Sequence, residues 1–193
     1  MFQTRLTSAL TRRSALLRIP NPRPLASLPT TTRPFSLSKP TLQTLPVQIH
    51  GVGTGTAQTI SVQSKPYTFS TDTYTTLGGN DSAPSPVAYS LASLGSCNQV
   101  TGSVVARDHG IKLGEWNVTV TGDLPTAVLV GGEQGNPNWE GVRLLVRVQT
   151  DVGEGEGERF GFFVSEVERR CPITQLFKLS GVRYESEWVN EKL

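Results

Sequence analysis

Between Ser85 and Gly110 the chain reads SPVAYSLASLGSCNQVTGSVVARDHG, and no other stretch restricts the fold so strongly. Ser85 can cap free backbone amides, and Pro86 at the first helical position loses no hydrogen bond. Val87, Leu91, Leu94, Thr101 and Val105 then recur near one face at the 3.6-residue period, with Ala92, Val100 and Val104 widening the stripe. Gly110, after Asp108-His109, suits a left-handed C-cap. The spacing therefore predicts one helix of about 23 residues, apolar over much of its circumference, around which the domain must be built. Cys97 falls near its middle.

Everything else in the chain is arranged about that helix. Before it, PVQIHGV, TISV and YTFS alternate apolar and polar residues and are separated by Gly-Thr-Gly and Lys-Pro, which predicts a three-stranded meander. TLGGNDSAPSP follows as a loop. After the helix, Trp116, Val118 and Val120 alternate with Asn117, Thr119 and Thr121. Val142, Leu144, Val146 and Val148 alternate with Arg143, Arg147 and Gln149 in the same way, so both segments read as half-buried strands. VGGEQGNPNWEG between them is a polar turn region, and GEGEGE from Gly153 to Glu158 is a linker whose acids suit the start of the next helix. That helix places Phe160, Phe163, Val164 and Val167 on one stripe, which continues to Cys171. Pro172 breaks it and permits a short second helix to about Leu179, and VRYESEW alternates as a last strand. The order is that of an α+β domain, not of a wound parallel sheet.

Composition divides the chain in two. Residues 1–42 hold Arg5, Arg12, Arg13, Arg18, Arg23, Arg33 and Lys39, and no acid precedes Asp72. An Arg-rich, acid-free segment able to form a cationic amphipathic helix from Phe2 to Ile19 reads as a mitochondrial presequence, with the mature start between about Phe35 and Gln43. The expected location is the matrix, and residues 43–193 form the expected domain. Without the leader the net charge falls from +2 to −5, so the basic balance belongs to the address. A mildly acidic domain argues against nucleic-acid binding, which needs clustered Lys and Arg. No run approaches the roughly 20 apolar residues of a membrane span. With only His50 and His109 beside two cysteines, no metal-ligand spacing is present and no cofactor site can be read.

A cysteine on an apolar helix face is most often a small core residue. Cys171, however, precedes Pro172 at the start of a helix, where free amides favour a thiolate, and Arg169 and Arg170 stand beside it. SPVAYSLASLGSC, followed 74 residues later by the cysteine of VERRCPITQLFKLSGVRYESEW, resembles the OsmC/Ohr family of hydroperoxide-detoxifying proteins over about Val47 to Val189. The resemblance implies an OsmC-like fold, with antiparallel sheets wrapped around a long central helix, in an intertwined homodimer. It implies that Cys97 is the peroxidatic thiolate, attacking an organic hydroperoxide to become a sulfenic acid, and that Cys171 is the resolving thiol that condenses with it. A dithiol reductant, in this family sometimes a lipoyl group, would reduce the disulfide.

One departure bears on activation. The characterised peroxidases pair an acid early in the cysteine helix with an arginine from the N-terminal strands. Here the acidic position falls on or beside Ala88, and no arginine lies between Arg33 and Arg107. Activation is left to Arg107, Arg169, Arg170 or helix-end amides, among which the sequence does not choose, and Lys65 replaces a planar guanidinium poorly. The loss favours a second reading, a non-catalytic binding or redox-sensing member. Trp116, Trp139, Phe160 and Phe163 could wall a dry pocket, with core packing the commoner use of such residues. His109 beside Asp108 reads as a helix-end residue, GVGTGT as a tight turn, and Ser93 and Ser96 lack a partner base.

Overall fold

The fold is built from the helix outward. In the computed structural model, which describes residues 44–193, α1 runs Pro86–His109. The Ala88 amide donates to Ser85 Oγ at 3.3 Å, and Gly110 closes the other end at φ 64° with its N–H on the Ala106 carbonyl. The predicted presequence lies outside the described residues.

Three antiparallel strands precede α1: β1 (Ile49–Thr54), β2 (Ala57–Val62) and β3 (Thr68–Thr71), in the order β1-β2-β3. GVGTGT supplies β1 and its turn, where Gly55 takes φ 64°. After α1 come β4 (Leu113–Asp123), a one-turn helix α2 (Thr126–Leu129) and β5 (Gly141–Thr150). Then follow α3 (Gly157–Arg170), α4 (Pro172–Leu179) and β6 (Arg183–Lys192). The residues Leu45–Leu193 form a single unit.

The second sheet has the order β4-β5-β6, and it is mixed: β4 pairs antiparallel with β5, but β6 pairs parallel, from Gly141 opposite Arg183 to Thr150 opposite Lys192. The expected antiparallel pairing thus holds for β1–β2, β2–β3 and β4–β5, and only β6 departs from it. α3 and α4 carry the chain back from the end of β5 to its beginning, so the next strand can only run in the same direction. β5 is thereby central, and its alternation is complete: Val142, Leu144, Val146 and Val148 are buried while Arg143 and Arg147 face out to Glu185 and Glu191 of β6, both at 3.2 Å.

α1, α3 and α4 pack together, α1 also lies on β4, and the core forms beneath them. Val105, Leu144, Val146, Val148, Phe163 and Val167 have no exposed surface and form one cluster, joined by Trp116, Trp188 and Phe160 at its margin. Each such side chain contributes about 1.5–3 kcal/mol through burial. Leu94, Val142, Phe177 and Val182 form a second cluster, with Trp139 and Tyr184 packed against it. The four aromatic residues proposed as pocket walls are therefore core or core-margin residues, although Trp116 also faces a groove of about 640 Å³ between α1 and β4.

The buried stripe of α1 differs from the predicted one. Leu94, Gly95, Asn98, Gly102, Val105 and Ala106 are buried, whereas Val100 is exposed. Two glycines and an asparagine lie on the stripe because β4 and α4 approach the helix closely. A Cβ on Gly95 would stand 3.1 Å from Val118 Cγ1, and one on Gly102 would overlap the Trp116 ring.

Candidate active site

Cys97 is half-buried on α1, and Cys171 is fully buried where α3 hands over to α4. The extended backbone at Cys171 (φ −75°, ψ 112°) follows from Pro172, whose ring excludes a helical conformation from the preceding residue. Cys171 therefore ends one helix and begins the next. Its N–H donates to the Val167 carbonyl at 2.9 Å, and its carbonyl accepts from Gln175 N at 3.1 Å. Its Sγ accepts the Thr174 amide at 3.4 Å, occupying the N-cap position of α4. A sulfur there meets free amides and the positive end of the helix dipole.

The packing of α4 on α1 brings the two cysteines together. Cys97 and Cys171 are neighbours, and the Ile173 N–H and the Thr101 hydroxyl also act on the Cys97 thiol. Burial pushes the Cys97 thiol above its ordinary range, and the neighbouring Cys171 thiol acts in the same direction. The Ile173 amide and Thr101 hydroxyl pull it down by less. Both thiols are free. Two adjacent thiols, one within reach of solvent and one at a helix N-terminus, can be oxidised to a disulfide through a sulfenic acid on the reachable sulfur.

The three arginines considered as activators are engaged with carboxylates. Arg169 forms a two-pronged pair with Glu166 at 2.7 and 2.8 Å. Arg170 and Arg107 both reach Asp108, at 2.9 and 3.1 Å. None of the three is among the leading groups that shift the Cys97 thiol. Ala88, on or beside which the resemblance would put an acid, lines the α1–β4 groove. His109 lies edge-on to Phe162 with ring centroids 5.0 Å apart, and the Ser93 and Ser96 hydroxyls donate back to helix carbonyls. Among the described residues no cluster of His, Cys, Asp or Glu could hold a metal ion, and no helix is long and apolar enough to cross a membrane.

A second layer escaped sequence reasoning. Asn98 and Thr174 have no exposed surface and are joined by a hydrogen bond from Asn98 Nδ2 to Thr174 Oγ1 at 3.0 Å. Asn98 Nδ2 also donates to the Leu94 carbonyl at 2.8 Å. Tyr184 of β6 brings a buried hydroxyl to the side of Thr174, and burial pushes its phenol upward. The available signal was an amide side chain directly after Cys97 in an apolar run, and a threonine three residues beyond a helix-capping cysteine.

A two-thiol site, with one sulfur buried and one half-buried, between a long helix and a helix–Cys–Pro–helix step over a mixed sheet, defines an α+β thiol protein. The chain belongs to the OsmC-like protein family, whose pattern matches residues 78–187 and so includes both cysteines. Among solved structures it resembles an OsmC-like protein from Mycoplasma pneumoniae, at 18% identity and a TM-score of 0.62 over 77% of this chain and 99% of that one. It also resembles an organic hydroperoxide resistance protein from Elizabethkingia anophelis, at 16% identity and a TM-score of 0.58 over 78% and 99%. A third such structure, from Legionella pneumophila, has 14% identity and a TM-score of 0.55 over 75% and 97%. No curated protein matches the sequence.

Proposed function

We propose that the protein is a thiol-dependent peroxidase that reduces organic hydroperoxides through Cys97 and Cys171. The observation that carries this reading is that packing of α4 on α1 makes the two cysteines neighbours close enough for each thiol to act on the other. Membership of a family whose solved relatives include organic hydroperoxide resistance proteins supports the substrate class. The Cys97 thiolate attacks the distal peroxide oxygen, the alkoxide leaves as an alcohol, and Cys97 becomes a sulfenic acid. The Cys171 thiolate, stabilised by the Thr174 amide, attacks that sulfur and releases water. A dithiol then restores both thiols.

The working form in this proposal is a homodimer in the mitochondrial matrix. Exposed apolar residues on the meander (Ile49, Val52) and on the helices (Val100, Leu176) support a covering second copy. The basic, acid-free composition of residues 1–42 supports the location.

A specific observation favours a second reading, a redox-sensing protein that turns over slowly. Burial and Cys171 raise the Cys97 thiol, and the nearby arginines pair with carboxylates, so the attacking thiolate is scarce near neutral pH. The test is the intact mass of the reduced protein after one equivalent of cumene hydroperoxide. Loss of two hydrogens within seconds, dependent on both cysteines, supports the peroxidase. The same loss over many minutes supports the sensor, and an unchanged mass refutes both.

A further inference from the structure

Resting on the disulfide cycle proposed above, we infer that the buried Asn98–Thr174 hydrogen bond is a latch that dictates which sulfur the reductant attacks. It keeps Cys171 docked beneath α1, so the incoming thiol is directed to Cys97.

The two sulfurs are not equivalent. Cys171 has no exposed surface, whereas Cys97 is partly open to solvent. Cys171 Sγ also accepts the Thr174 amide at the N-terminus of α4, so negative charge released on it is stabilised where it forms. In thiol–disulfide exchange the reachable sulfur is attacked. Exposure selects Cys97 for attack, and the Thr174 amide faces the charge that departs onto Cys171.

Two residues hold this asymmetry in place. Thr174 supplies the amide that reaches Cys171, and its hydroxyl accepts from Asn98, the residue next to Cys97. This pair, with Asn98 Nδ2 donating at 3.0 Å and the Thr174 hydroxyl placed to donate back to Asn98 Oδ1 at 3.4 Å, thus ties the segment carrying one sulfur to the segment carrying the other. Both partners are fully buried, and the Asn98 amide is anchored a second time on the Leu94 carbonyl, so water does not compete for the bond. Asn98 and Thr174 are positioning residues, since neither contacts the reductant.

The step balances as follows. A thiolate of a dithiol attacks Cys97 Sγ, a mixed disulfide forms there, and the Cys97–Cys171 bond breaks with its electron pair leaving on Cys171. The second thiol of the dithiol, deprotonated, attacks its own bound sulfur and expels Cys97 as a thiolate. The protein disulfide gains two electrons, the dithiol loses two and closes on itself, and its two protons end on the cysteines.

The experiment starts from protein oxidised to the disulfide with diamide, which keeps it independent of peroxide turnover. If diamide yields no Cys97–Cys171 disulfide, the two-cysteine cycle and this inference fall together; if it does, the inference is tested separately. The oxidised protein is exposed briefly to glutathione as a monothiol probe and quenched with N-ethylmaleimide, and the glutathione adduct is located by peptide mass mapping. The expected adduct lies on Cys97 in roughly tenfold excess or more over Cys171. Asn98→Leu with Thr174→Val replaces both buried partners by apolar groups of similar shape, which preserves folding better than either change alone. That variant should lose most of the preference, and Thr174→Ser, which keeps the hydroxyl, should retain it. Adducts shared equally in the unmodified protein, or lying mainly on Cys171, overturn the inference. A preference unchanged in the double variant overturns the latch.

Discussion

Gly102 offers the sharpest test of how α1 is seated, because a single added methyl has one obstacle. A Cβ built there lies 2.8 Å from Trp116 Cζ3 and closer still to Cη2. Comfortable carbon contacts lie at about 3.5–4.0 Å, so the ring or the helix must move by roughly 1 Å. Trp116 cannot swing aside freely, because it is packed edge-on to Trp188 and Phe163 at centroid distances of 5.7 and 6.4 Å. Overpacking of this kind costs about 1–3 kcal/mol, and the better helix propensity of alanine returns up to about 1 kcal/mol. Gly102→Ala should therefore lower stability by about 1–2 kcal/mol, or roughly 2–8 °C in Tm for a domain of this size. Two further glycines calibrate the propensity term. Gly161 in α3 has nothing within 4 Å of a built Cβ, so Gly161→Ala should stabilise by about 0.5–1 kcal/mol. Gly95, whose Cβ would meet Val118 Cγ1 at 3.1 Å, should come out near neutral. Thermal and urea unfolding of the three variants gives the comparison. Trp116→Phe removes the obstructing atoms and should abolish the extra cost of Gly102→Ala in a double-mutant cycle. If Gly102→Ala unfolds within about 0.5 kcal/mol of Gly95→Ala, the close approach of Trp116 to α1 is wrong.

The cysteines and one buried carboxylate make further tests. Because the Cys171 thiol helps raise that of Cys97, Cys171→Ala should speed iodoacetamide alkylation of Cys97 at pH 8, and a slower rate would contradict the assigned cause. With the folded Cys97 value above the unfolded one, the unfolded chain releases its proton first, so stability should decline as pH rises past about 8.5 and Cys97→Ser should flatten that decline. Asp72 accepts from Ser82 Oγ, the Ser82 amide and Thr56 Oγ1 at 2.8–3.1 Å, and these bonds, the Ser82 hydroxyl foremost, hold its carboxyl far below the usual range; the Asn80 amide also donates to it, at 3.0 Å. Its contribution is complete above about pH 4 and is lost as pH falls further, so Asp72→Asn should weaken the acid dependence of unfolding; an unaltered acid limb would argue against this loop anchor. Deletion of residues 1–42 should leave the protein outside mitochondria in a fractionation experiment, and undiminished import would remove the presequence assignment.

Much of the architecture was legible because its determinants are local. Ser85-Pro86, Gly110 and the apolar period define α1, and Cys171-Pro172 separates α3 from α4, since capping and the proline ring act within a few residues. The alternation along β5 placed Val142, Leu144, Val146 and Val148 inside and the arginines outside. The paired cysteine motifs gave the family. The parallel pairing of β6 was not legible from strand patterns, because alternation states which residues face inward and not which way the neighbouring strand runs.

The site divides along the same line. The two cysteines, and the absence of an acid at Ala88, are properties of the sequence. The proximity of Cys97 to Cys171 arises only when α4 packs on α1, across a separation in the chain that no local rule spans. Electrostatics behave likewise: Arg107, Arg169 and Arg170 look available beside their cysteines or helix ends, yet in three dimensions Asp108 and Glu166 engage them. Asn98 and Thr174 look like ordinary polar residues until burial removes water as their alternative partner and leaves each to satisfy the other. Sequence determined the elements and the reactive atoms, through short-range sterics and hydrogen bonding. Tertiary packing decided which of those atoms meet, and what charge and solvent they meet in.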